Sequence, residues 1–386
     1  MQASAGMPRI DRVVLWGTCD LGKPRVRLLI RGLRECGVEV LECHSDLWHG
    51  IQDKSQMQGA IAWGRLALRA LAVYPSLLVR YLRLPHHDWV LLGYPTMPDV
   101  FVIRLLAWLR GARIALDWFL SAYDTIVLDR AMVSTRHPLA WMVRAAEWLG
   151  LRLADAPFMD TRTHAQRMER MFGLKAGSCG RVWVGVEEDA FAIVAPAKPG
   201  ATERDDGRLH VLFYGQFIPL HGIATIIEAA RILRNAPVSW TLVGKGQEAP
   251  KIRAMLEADP LPALRWVDWI DYTDLRREIA AADVCLGIFG TSDKAASVIP
   301  NKVFQVLAAG RPLITRDSPA IRELVEHDMQ DITLVPSGDA RSLADAIMRW
   351  QRQRPVPDVR RGELRAAITP RAVGEQLLDV LREHRA

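Results

Sequence analysis

One stretch of the 386-residue chain gathers the groups that hold a phosphate: Ser297-Val-Ile-Pro-Asn-Lys-Val-Phe-Gln-Val-Leu-Ala-Ala-Gly310, followed by Arg311-Pro-Leu-Ile314. A proline in the first helical position gives up an amide that would have no partner there, so a helix is expected to begin at Pro300 with Ser297 just ahead as its cap. Asn301 and Lys302 then stand at the positive end of that helix. Free amides, a helix dipole and an ammonium group converging on one point suit an anion.

A second chemically rich stretch is Asp117-Trp-Phe-Leu-Ser-Ala-Tyr-Asp-Thr125, running on to Asp129-Arg130. Read as a loop at the end of a strand, it offers acids for sugar hydroxyls and aromatic rings for a sugar's apolar face. The competing reading is a structural loop whose acids cap the next helix.

The elements around these stretches repeat a strand, loop, helix pattern. Strand Arg12-Val-Val-Leu-Trp-Gly17, the loop Thr18-Cys-Asp-Leu-Gly-Lys-Pro24, a helix over 25–36 and a strand over 38–41 make a βαβ opening. Gly17 and Gly22 fall short of the dinucleotide fingerprint, so an NAD site is not expected. Further strands are expected over 89–93, 112–117, 156–159 and 181–186. After a stretch over 192–208 rich in Pro, Ala, Gly and charge, the pattern restarts with strands over 210–215, 239–244, 264–267 and 284–287. This gives an N-terminal Rossmann-like domain over 1–192, a linker over 193–207, a second Rossmann-like domain over 208–365 and a C-terminal helix over 366–386.

Composition fits two cores. Half the residues are hydrophobic and 24% are charged, which excludes a disordered chain. Five cysteines without paired metal spacing read as reduced thiols of a cytoplasmic protein. The first ten residues do not look like a signal peptide, and arginines break every long apolar run, so no membrane span is expected. The whole net charge of +6 falls in residues 1–200, a surplus that points to an acidic partner such as anionic lipid or a phosphorylated substrate. Residues 56–84 are apolar with Arg65, Arg69, Arg80 and Arg83 and a break at Pro75. They read as a core-packed helix pair with a charged stripe or as a basic surface lying on a membrane.

Val211-Leu-Phe-Tyr-Gly215 with His221-Gly222, Leu242-Val-Gly-Lys-Gly246, Ala282-Asp283-Val284 and Pro300-Asn-Lys302 with Leu307-Ala-Ala-Gly310 are spaced as in the carboxyl-terminal domain of group 1, family-four-type glycosyltransferases. The chain resembles that family over roughly 206–350. The resemblance implies an α/β chain of the GT-B fold, two Rossmann-like domains facing a cleft, with the C-terminal helix crossing back to the first domain. It implies a nucleotide-diphosphate sugar donor in the second domain and a lipid-linked or saccharide acceptor in the first. The reaction it implies is sugar transfer to a hydroxyl, retaining and metal-independent, in cell-envelope polysaccharide or glycolipid synthesis, with no separate cofactor and no nucleic acid partner.

Carried over by motif, Lys302 and His221 would stabilise the leaving diphosphate. Donor contacts would come from Gly22, Lys23, Gly215, Gln216, Gly244, Lys245, Ser297, Ile299, Asn301 and Gln305, with Trp269 and Ile270 lining the base pocket. Acceptor contacts would come from Ser121, Tyr123, Asp129 and Arg130, and Asp117 or Asp124 would act as base if the reaction inverts. Two departures stand out. Gln216 and His221 occupy the region where the family commonly carries an Arg and a Lys, and Ser297 and Gln305 replace its two glutamates. The alternative is therefore a catalytically silent relative that binds a nucleotide or a protein partner. An epimerase of the same architecture lacks an acid and base set. The expected location is cytoplasmic, at the inner face of the plasma membrane.

Overall fold

The structure is a computed structural model that describes residues 10–45, 47, 60–95, 97–187, 191, 207–326 and 329–385. The chain divides into two compact units, residues 1–185 with 369–386, and residues 186–368. The linker expected over 193–207 lies almost wholly outside the described residues.

The first unit is built on a parallel sheet of six strands: β1 (Arg12–Gly17), β2 (Glu39–His44), β3 (Trp89–Leu92), β4 (Arg113–Asp117), β5 (Ala156–Met159) and β6 (Gly180–Arg181), ordered β2-β1-β3-β4-β5-β6. Strands β3 and β5 are buried throughout and β1 and β4 nearly so, as a sheet covered on both faces requires. On one face, helices Pro24–Glu35 and Pro370–Glu383 share a core with Leu29, Leu33, Val373 and Leu377. They cross where Gly32 meets Gly374. An ideal Cβ on Gly32 would sit 2.2 Å from the Pro370 carbonyl oxygen, so only glycine allows this approach. The last helix is thus part of the first unit, as the GT-B fold implies.

The opposite face carries helices Ala60–Leu82, Met97–Leu109, Pro138–Leu153 and Arg162–Phe172. Two expectations are corrected here. Of the stretch read as a helix pair over 56–84, residues 56–59 lie outside the described residues, and Pro75 lies inside one helix, Ala60–Leu82. The strand expected over 181–186 is the two-residue β6, and the chain beyond Arg181 leaves the sheet.

The second unit has its own parallel sheet: β7 (Leu209–Tyr214), β8 (Val238–Val243), β9 (Leu264–Val267), β10 (Val284–Leu286), β11 (Leu313–Arg316) and β12 (Ile332–Val335), ordered β12-β11-β10-β7-β8-β9. The chain builds outward from β7 to β9, then returns to place β10 on the other side of β7. The loops after β7 and β10 therefore diverge, and an open parallel sheet binds ligands in the crevice at that point. Lys302 lies beyond β10, and the glycine loops follow β7 and β8.

Candidate active site

Strand β7 ends at Tyr214, and the chain turns at Gly215 with φ +139°. An ideal Cβ on Gly215 would lie 2.9 Å from Lys302 Nζ and 3.1 Å from His221 Cε1. The missing side chain is thus what lets these two groups converge. Gly244, after β8, presses on the same turn from behind: its ideal Cβ would lie 1.9 Å from the Gly215 carbonyl oxygen. The two loops are tied by the Phe217 amide donating to the Lys245 carbonyl at 3.0 Å and the Glu248 amide to the Phe217 carbonyl at 2.8 Å. Trp266 supports them from below. Its Nε1 donates to the Gly244 carbonyl at 2.9 Å, and its ring stacks on Phe217 with centroids 5.1 Å apart.

Lys302 is the second residue of helix Asn301–Ala308, whose N-terminus no side chain caps. Its side chain is buried, and Nζ lies 3.7 Å from the centre of the Phe213 ring without a hydrogen-bond partner. Burial pushes its pKa well below the ordinary lysine value. An amine held this way is costly in the empty protein and becomes favourable once an anion shares the site. His221 closes the short turn Pro219–His221, donating from Nδ1 to the Gln216 carbonyl and packing edge-on to Phe213. The turn is fixed to the β10 loop by the Phe289 amide, which donates to the His221 carbonyl at 3.0 Å, and by the Gly290 amide, which donates to the Leu220 carbonyl at 3.2 Å. Phosphate-sized charge is the chemistry these groups can serve.

Several expected donor residues sit differently. Pro300 is the cap rather than the first helical residue, and Ser297 ends a separate helix, Asp293–Ser297, with its hydroxyl donating to the Asp293 carbonyl at 2.6 Å. Ser292 caps that unforeseen helix. Gln305 Oε1 accepts from the Tyr214 hydroxyl at 3.0 Å, and the same hydroxyl reaches the Lys302 carbonyl at 3.2 Å. Gln305 thereby anchors the helix to β7. Ile299 is buried, Asn301 is half-buried, and Gln216 and Lys245 are exposed beside the turn. Trp269 is 62% exposed and Ile270 half-buried after β9; Trp266 is the indole that packs on the glycine loops.

In the first unit, Gly22 and Lys23 form the turn before helix Pro24–Glu35, with the Gly22 amide donating to Asp20 Oδ1 at 2.9 Å. Asp117 and Asp124, the expected bases, each lie buried in an ion pair. Arg25 Nε donates to both Asp117 oxygens at 2.7 and 3.0 Å, while its Nη1 reaches the Val182 carbonyl at 3.1 Å, all inside the core. Burial pushes the Asp117 carboxyl up and the guanidinium pulls it back down. Asp124 is fully buried in an ion pair with Arg167 at 2.5 Å. Both carboxylates serve cations of the protein itself.

The rest of that segment is a π-helical turn, Tyr123–Asp129, rather than a loop. Ser121 is buried and donates to Glu147 at 2.8 Å, while Tyr123 packs edge-on to Phe172. Asp129 is half-buried and Arg130 buried. The organising residue is Glu147, which also accepts from Trp118 Nε1 at 3.1 Å and from the amides of Ala122 and Tyr123 at 2.8 and 3.0 Å. Its sequence signal is a lone acid in a helix whose other charged residues are Arg144 and Arg152. Asp99 was also not foreseen: Thr18 and Tyr74 donate to it, and burial pushes its pKa up to about 6.

With this geometry in hand, comparison with known proteins defines the class. The chain superposes on sucrose-phosphate synthase from Thermosynechococcus elongatus with a TM-score of 0.69 at 19% identity, covering 97% of this chain and 98% of that one. It superposes on Anabaena HepE in complex with UDP and glucose with a TM-score of 0.62 at 13% identity, covering 97% and 99%. The fold is GT-B. Residues 208–353, within the second unit, match the family model described as glycosyl transferases group 1. In sequence, the chain is 22% identical over 392 aligned positions to chitobiosyldiphosphodolichol beta-mannosyltransferase of Kluyveromyces lactis, covering 92% of this chain and 86% of that protein. It is 28% identical over 145 positions to the amylovoran biosynthesis glycosyltransferase AmsK of Erwinia amylovora, a match that spans 36% of this chain and 35% of that protein.

Proposed function

We propose that the protein transfers a sugar from a nucleoside-diphosphate donor, bound at the β7/β10 crevice, to a hydroxyl of a lipid-linked or saccharide acceptor. The observation that carries this reading is the buried, unpartnered Lys302 amine beside Gly215 at an uncapped helix start. As the bond to the sugar breaks, negative charge grows on the diphosphate, and a cation already in place lowers the barrier without waiting for solvent to reorganise. Lys302 and the helix amides supply that charge in the metal-independent route. No carboxylate of the 117–130 segment is needed as base, because the leaving phosphate takes the acceptor's proton, and the sugar keeps its anomeric configuration. Cytoplasmic donor pools and cell-envelope synthesis are the setting this chemistry fits. HepE has been captured with UDP-glucose, which makes a uracil nucleotide the first donor to try.

A thermal-shift series with UDP, GDP, TDP and ADP sugars tests the reading. One of these donors is expected to raise the melting temperature of the second unit. Stabilisation by none of them sinks the donor site, and stabilisation without turnover on any acceptor favours the catalytically silent alternative.

A further inference from the structure

The outward side of helices Met97–Leu109 and Pro138–Leu153 reverses the usual order of a surface helix. In the first, Phe101, Leu105, Trp108 and Leu109 recur at helical spacing and all four are exposed, with Trp108 at 65%. In the second, Leu139, Trp141, Met142, Trp148 and Leu149 are exposed, with Trp141 at 75%. The two helices pack side by side, and Ala60–Leu82, bearing exposed Leu68, Leu71, Val79 and Leu82, lies next to the first of them. Contiguous apolar surface on this scale marks an interaction face.

The charge on this layer identifies what covers it. The three helices contain two acidic residues, Asp99 and Glu147, and both are buried. They carry six arginines: Arg65, Arg69, Arg80, Arg104, Arg144 and Arg152. Arg152 lays its guanidinium 3.7 Å from the Trp148 ring centre. Indoles with arginines beside them, and no exposed carboxylate, belong at the level of lipid headgroups, where the ring is half in hydrocarbon and the cation meets phosphate. A second copy of the same face would bring arginine against arginine. Among the described residues no helix is long and apolar enough to cross a membrane.

We propose that the outer surface of these three helices docks the protein on an anionic lipid bilayer. The sequence pointed to 56–84 alone; the structure moves the apolar centre of the face to Trp108 and Trp141. The inference stands apart from the transferase reading, since it concerns a surface of the first unit and is read without any donor.

Flotation of the purified protein with phosphatidylcholine vesicles containing phosphatidylglycerol tests it. The protein is expected to float, and the Trp108→Glu/Trp141→Glu variant to lose at least about tenfold in vesicle partitioning at an unchanged melting temperature. Val359→Glu, on a 96% exposed side chain of the second unit, is the control and should float as the parent does. A parent protein that stays with the vesicle-free fraction overturns the proposal, as does a double variant that floats equally well. A parent that forms dimers dissolved by the double substitution, without binding vesicles, gives the face to a second copy instead.

Discussion

Lys302→Met is expected to lower sugar transfer by about a hundredfold or more while leaving the fold as stable as before or more so. The two effects have one cause. The lysine Nζ is buried over Phe213 with no hydrogen-bond partner, so methionine keeps its hydrocarbon and removes a desolvated amine. The pH dependence of stability carries the same signature. Because the folded-state pKa of Lys302 lies below its unfolded value, the unfolded chain holds the extra proton between the two, and stability from this group rises with pH across that window. The substitution should flatten that rise. Urea unfolding at several pH values, beside initial rates with the donor found by thermal shift, measures both. If Lys302 served packing alone, the variant would lose stability and keep its rate.

Asp117→Asn is expected to destabilise the first unit by about 3–5 kcal/mol, because it leaves the Arg25 guanidinium buried without its counter-charge. Asparagine offers one carbonyl oxygen where the carboxylate met Arg25 with two. Pairing it with Arg25→Met should recover much of the loss, since no lone charge is then left in the core. Denaturant unfolding of the single and double variants decides the matter. A single variant that unfolds like the parent but has lost transfer would return Asp117 to the role of catalytic base.

The contrast between these two residues shows what the sequence made legible. The place of Lys302 was readable because it depends on local order: a proline, a helix start and an apolar helix face, all within one short stretch. The sheet strands were readable for the same reason, as runs of apolar residues ending in glycine. The ion pair of Asp117 was not legible because its partner is 92 positions away, and a strand-end acid looks the same whether it faces a ligand or a buried arginine. Ser297 and Gln305 were placed by their distance from Ala308-Ala-Gly310, but Ser297 ends a separate helix, Asp293–Ser297, and its hydroxyl turns back onto that helix's backbone. The surface of Met97–Leu109 escaped notice because a helix apolar on almost every side reads as core, and only the packing shows which of its sides has no neighbour.

A nucleoside diphosphate is expected to bind against the Lys302 amine. Calorimetric titration of UDP, or of the diphosphate of whichever donor stabilises the protein, tests it most directly when run at mildly alkaline pH in buffers of different ionisation enthalpy. Binding should draw a proton onto Lys302, because an adjacent diphosphate raises the pKa that burial has lowered. The observed heat should therefore depend on the buffer, and Lys302→Met should lose both the affinity and that dependence. Equal affinity and equal heats for the parent and the variant would contradict the claim.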